Sequence, residues 1–165
     1  MNCPICSWSP NDEDYLFISE TQYWRICLAP NQSLLGRCVI HLKRHAGDLA
    51  ELTEEEWNDF LNVVKAVEQA IRLAFNATMF NWSCYMNHAY RENHPNPHVH
   101  WWVVPRYAQA VQFGERTFED PHFGNPYDHG RRLDFPKNLR TEIAEKIKEN
   151  YLVNPATTPR PASAG

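Results

Sequence analysis

The chain has no excess of basic residues: sixteen Lys and Arg stand against twenty Asp and Glu, a formal charge of −4. That excludes the broad positive field that tracks a nucleic-acid backbone, so nucleic acid is not an expected partner and any phosphate ligand must be held by local groups. No apolar run approaches the ~20 residues needed to cross a bilayer, and Met1-Asn2-Cys3-Pro4 lacks the pattern of a signal peptide. No membrane partner is expected, and the cytoplasm is the expected location. The five cysteines are an odd number in a chain with no export signal, which does not suit a disulfide framework. They read as reduced thiols, some of them available to a metal. With 43% hydrophobic residues in 165, the chain is long enough to bury a core as one domain.

The most informative stretch is residues 94–106, His-Pro-Asn-Pro-His-Val-His-Trp-Trp-Val-Val-Pro-Arg. β-Branched and aromatic residues with proline at each end predict a strand that starts after Pro97 and stops at Pro105. Alternation sends His98, His100 and Trp102 to one face and Val99, Trp101 and Val103 to the other. A single exposed histidine is most simply a bystander. Two at i and i+2 aim at one volume, and each is a nucleophile, base or ligand near neutral pH.

Cys3-Pro4-Ile5-Cys6 admits two chemistries, a redox pair at a helix N-terminus or half of a metal site. Residues 7–14 are turn-rich with no amphipathic helix, which favours metal. Residues 15–20 and 23–28 predict two strands, and 36–41 a third leading into Leu42-Lys43-Arg44-His45. Thr53 with Glu56 three residues on is a capping box. Trp57, Phe60, Leu61, Val64, Val67, Ile71, Ala74 and Phe75 then recur at helical spacing, predicting about six turns that end near Asn76 and cover the Trp101 side of the 98–104 strand. Residues 78–86 predict another strand with Asn81 and Asn87 near its ends, where asparagine either satisfies turn backbones or binds ligand. His88 and His94 read as ordinary loop residues. Residues 113–132 show no period and predict an irregular ordered loop; Pro136 opens a helix with Leu139, Ile143, Ile147 and Tyr151 at four-residue spacing. Residues 154–165 predict a flexible tail.

The run His98-Val99-His100-Trp101-Trp102-Val103-Val104-Pro105-Arg106 resembles the signature of the histidine triad (HIT) proteins, with Trp102 standing where the third histidine would be. Asn96-Pro97-His98 is also similar to the Asn-Pro-His-x-His of galactose-1-phosphate uridylyltransferases, whose third position is Gln. The resemblance covers about residues 1–107, with residues 108–153 an extension packed on the same domain. It implies an α+β fold, an antiparallel sheet of about five strands with a long helix on one face and a C-terminal helical extension. It also implies a homodimer that pairs the long helices and extends the sheet. For the site it implies structural zinc on Cys3, Cys6, His45 and His98, and His100 as the nucleophile that takes a nucleotidyl group from a nucleoside phosphate derivative. Asn81 and Asn87 are the implied substrate donors, and the indole N–H of Trp102 is a further candidate donor by its own chemistry. Where the family commonly has an acid for the ribose hydroxyls, this chain has Ala29. Two other readings stay open: a nucleotide-binding module with little turnover because of Trp102, and a zinc-stabilised interaction protein acting through the extension.

Overall fold

The computed structural model describes residues 3–152, and the tail expected over 154–165 lies outside them. Five strands form one antiparallel sheet: β1 (Leu16–Glu20), β2 (Trp24–Leu28), β3 (Cys38–Leu42), β4 (Met79–Ser83) and β5 (His100–Arg106), in the order β1-β2-β3-β5-β4. The long helix α1 (Glu54–Phe75) leads from the sheet centre to β4; a short hairpin, β6 (Val111–Phe113) and β7 (Arg116–Phe118), and a helix α2 (Lys137–Leu152) follow. The α+β architecture expected from the sequence is the one observed.

Directly opposed residues share a face of the sheet, so the register sorts the side chains. Ile26, Ile40 and Trp101 lie across from one another on one face; Arg25, His41 and His100 do so on the other. The first face packs on α1, where Phe60 meets Trp101 at 5.0 Å, Trp24 at 4.9 Å and Trp82 at 5.8 Å between ring centroids. Val63, Ala66, Val67, Ala70 and Ile71 continue the buried stripe. Leu139, Ile143 and Ile147 of α2 close the same core against β1 and α1. Each fully buried large aliphatic side chain contributes roughly 1.5–3 kcal/mol, which makes this face the source of stability and frees the opposite one for chemistry.

Helix α1 starts where its capping box predicts. Thr53 Oγ1 accepts from Glu56 N–H, and the Glu56 carboxylate accepts from Thr53 N–H at 2.9 Å and from both Nε and Nη2 of Arg44, at 2.6 and 2.8 Å. The helix ends at Asn76, which adopts the left-handed conformation with φ +57°. Arg44 and the cap together hold Glu56 below the usual carboxylate range, so this stabilisation is present above about pH 4.3 and is lost as pH falls through the lowered pKa. Glu56→Ala is expected to cost about 2 kcal/mol in urea unfolding at pH 7 and much less at pH 3.

Three expectations need correction. Strand β5 begins at His100 and runs through Pro105 to Arg106, because Arg106 C=O faces β4 and accepts from Thr78 N–H, which turns the missing N–H of Pro105 toward β3, whose ladder ends at Val103. Strand β4 stops at Ser83, so Asn81 lies at its centre and Asn87 opens a 3₁₀ turn, Asn87–Arg91. The stretch expected to be irregular from 113 begins inside the β6–β7 hairpin, whose three-residue strands are too short to show a period.

Candidate active site and metal centre

Residues 3–7 form a turn in which Ser7 N–H returns to Cys3 C=O at 3.1 Å, and no helix follows it. This lacks the helix N-terminus that activates a redox C-x-x-C pair. Instead Cys3 Sγ lies 3.2 Å from His98 Nδ1, Cys6 Sγ lies 3.5 Å from both His45 Nδ1 and His98 Nδ1, and the two imidazole nitrogens are 3.2 Å apart. All four ligand atoms fall within 4.8 Å of one another. Bonds of 2.0–2.3 Å to a tetrahedral cation imply edges of about 3.3–3.8 Å, close to the separations found. His98 fixes its own tautomer: Nε2 is 2.8 Å from Leu42 C=O and must donate to it, which leaves the Nδ1 lone pair aimed into the cluster.

The same logic orients His100. Its Nδ1 is 2.8 Å from His98 C=O, a group that only accepts, so Nδ1 carries the proton and Nε2 is the free nitrogen. Burial pulls the His100 pKa below its ordinary value, the carbonyl of His98 opposes that, and His88 lowers it further. The imidazole is therefore neutral at pH 7. Across the strand His41 is pushed down to about 3, first by burial and then by His100 and His98, with the Tyr15 ring 6.0 Å from its own. Trp102 stands edge-on to His100 at 5.9 Å, and the Arg37 guanidinium lies over the Trp102 ring at 4.7 Å.

Asn81 shares this face through its position opposite Val104, and its Oδ1 accepts from Arg106 Nη1 at 3.0 Å. That bond presents the amide N–H₂ of Asn81 outward as a donor. Asn87 is exposed on its 3₁₀ turn beyond the end of β4. Arg106 is fully employed: it pairs with Asp120 through Nε and Nη2, and donates also to Asn125 C=O at 2.9 Å and His122 C=O at 2.8 Å. It thereby ties β5 to the loop at 119–125. A cavity of about 420 Å³ opens between that loop and β4, lined by Asn81, Ser83, Arg106, Tyr127 and His129 among others. Ser83 lies opposite Trp102, so the cavity adjoins the histidine face.

The structure thus brings Cys3, Cys6, His45 and His98 into one cluster, and places His100 and Trp102 beside it on β5. Sequence reasoning missed Arg37, His41, Tyr15 and Tyr127, all set by cross-strand register or by the loop. His88, read as an ordinary loop residue, lies near enough to His100 to affect it.

A hypothetical histidine triad nucleotide-binding protein from Sulfolobus tokodaii strain 7 superposes with a TM-score of 0.68 at 17% identity, over 91% of this chain and 92% of its own. The fold is that of the histidine triad proteins. A Zn-bound histidine triad family protein from Mycobacterium smegmatis matches with a TM-score of 0.56 at 19% identity, over 82% of this chain and 83% of its own. A uridylyltransferase matches with a TM-score of 0.52 at 16% identity, over 86% of this chain and 42% of its own. No sequence-family profile and no curated protein matches the chain. Among the described residues no helix of this histidine triad fold is long and apolar enough to cross a membrane.

Proposed function

We propose that the protein is a nucleotidyl hydrolase or transferase in which His100 attacks a nucleoside phosphate derivative and carries the nucleotidyl group. The observation that supports this most directly is the His100 Nδ1 to His98 C=O bond, which leaves an unprotonated, half-buried Nε2 on a rigid strand. The nucleotide-binding and uridylyltransferase names among the structural neighbours agree with that chemistry. Attack forms the Nε2–P bond and breaks the bond from phosphorus to the leaving group. Water or a second substrate then takes the nucleotidyl group from nitrogen. Charge on the phosphate oxygens is met by the amide groups of Asn81 and Asn87 and by the indole N–H of Trp102.

Zinc on Cys3, Cys6, His45 and His98 is the structural counterpart of this reading, supported by the donor spacing and by the Zn-bound neighbour. Held by these four residues, zinc would fix His98 and, through the His98 carbonyl, His100. Residues 1–107 form the histidine triad-like unit, and 108–153 an extension joined to it by Arg106 and Asp120. A homodimer across α1 and the β4 edge is supported by exposed Leu61, Leu73 and Met79.

The test is incubation with a labelled dinucleoside polyphosphate and with an adenosine phosphoramidate, followed by a denaturing quench held at alkaline pH. An acid-labile, base-stable label on the protein is the expected result. Nucleotide that binds without ever labelling the chain or turning over would leave a binding module instead.

A further inference from the structure

We propose that Arg37, over the ring of Trp102, holds a second phosphate of the substrate in addition to the one that reaches His100, with Arg132 of the later loop adding charge; this rests on the nucleotidyl-transfer reading above. The Arg37 guanidinium lies over the Trp102 ring at 4.7 Å, and Trp102 in turn stands beside His100, so the cation is one ring away from the nucleophile. Its Nε is buried without any hydrogen-bond partner in the protein, and among the described residues neither Arg37 nor Arg132 forms an ion pair with a carboxylate.

Ala29 explains the missing partner. The β2–β3 register continues past Leu28 and Cys38, with Ala29 N–H donating to Arg37 C=O at 3.0 Å, so residue 29 sits directly across from Arg37 on the same face. A carboxylate there would neutralise the guanidinium; a buried methyl group leaves it as uncompensated positive charge. Arg132 and the phenols of Tyr15 and Tyr127 lie within electrostatic reach of Arg37, and the nearby acids Asp12 and Asp14 act on Tyr15. The unpaired Arg37 guanidinium, with the Tyr127 phenol and the charge of Arg132 in reach, makes a receptor for a compact dianion, since Arg meets phosphate through paired, charge-assisted N–H bonds. Tyr127 and Arg132 come from the loop beyond residue 107, so the extension would set substrate choice.

The second phosphate can be carried on the 5′ chain or on a ribose hydroxyl, and binding separates the two. Wild-type protein is titrated calorimetrically with AMP, ADP, adenosine 3′,5′-bisphosphate and inorganic pyrophosphate. One of the two bisphosphorylated nucleotides is expected to bind at least about tenfold more tightly than AMP. Arg37→Met should remove that preference while leaving AMP within about threefold. Arg132→Met, on an exposed loop where folding is not at risk, should reduce it in the same direction, and Ala29→Asp should abolish it by supplying the counter-charge. His100→Ala should keep it. Equal binding of all three nucleotides to wild type, or an Arg37→Met loss as large for AMP as for the others, overturns the proposal. Pyrophosphate binding that depends on Arg37, with no nucleotide bound, would keep the anion site and sink the nucleotide reading.

Discussion

His100→Ala is expected to eliminate the covalent nucleotidyl adduct and to lower turnover on the order of 10³-fold or more, while nucleotide affinity stays within about tenfold. The asymmetry follows from where the contacts lie. Asn81, Asn87 and Trp102 supply the proposed binding groups, and none depends on the His100 ring for its position: Asn81 is held by Arg106, Asn87 by its 3₁₀ turn, and Trp102 by its place on β5 beneath Arg37. Removing the imidazole deletes the bond-forming atom and leaves those donors in place. Quenched labelling and equilibrium binding on the same preparation measure the two quantities, and an adduct that persists in His100→Ala places the chemistry on another residue.

The pH dependence carries the same signature. Only neutral His100 has a lone pair on Nε2, and its pKa lies below the ordinary value of ~6.5, so activity should be level at neutral pH and fall only below the mid-sixes. His41 imposes a separate loss. Its folded-state value of about 3 lies far below ~6.5, so the unfolded chain binds a proton that the folded one refuses, and stability declines by up to ~1.4 kcal/mol per pH unit between those values. Circular dichroism at each pH separates the two effects: rate lost while the spectrum is native belongs to His100.

What was legible in the sequence is what short-range chemistry specifies. The capping box at Thr53 and Glu56 is complete within one turn and appears as expected; the apolar period of α1 holds at Phe60, Val67, Ile71 and Phe75, but Trp57 and Leu61 of the expected stripe are exposed and Val63, Ala66 and Ala70 are buried in their place. The alternation of His100, Trp101 and Trp102 likewise needs only a strand. The grouping of Cys3 and Cys6 with His45 and His98 spans up to 95 positions, and only the resemblance to a known signature could select two histidines from eight. Arg37 had no such guide, since its stack on Trp102 depends on the β3–β5 register. Pro105 misled in the opposite sense: a proline ordinarily ends a central strand, but here its missing N–H faces a ladder that has already stopped. The role of Arg106 was hidden because Asp120 and the carbonyls of His122 and Asn125 belong to a stretch without any period.

Metal removal is expected to have the largest effect on stability. Protein purified without chelator should carry about one zinc per chain, and Cys3→Ser should release it and lower unfolding free energy by several kcal/mol. The reason lies in the donor set itself. His45 Nδ1 and His98 Nδ1 stand 3.2 Å apart, and His98 cannot turn its ring without abandoning Leu42 C=O, so its lone pair must face the other donors. Without a cation the two thiols offer those lone pairs only weak S–H hydrogen bonds, far short of four metal–ligand bonds. Without it the N-terminal turn has no other covalent or ionic tie to His98 among the described residues, and Cys3, buried at 5% exposure, would lose its purpose in the core. Loss should then spread to His100, whose Nδ1 bond ends on the His98 carbonyl, so the Cys3→Ser chain should label poorly even where circular dichroism finds it folded. Adding excess zinc to chelator-treated wild type should restore both stability and labelling, and should fail to do so in Cys3→Ser. Metal analysis that finds no zinc in untreated wild type, or a Cys3→Ser variant as stable as wild type, would remove the metal from this site.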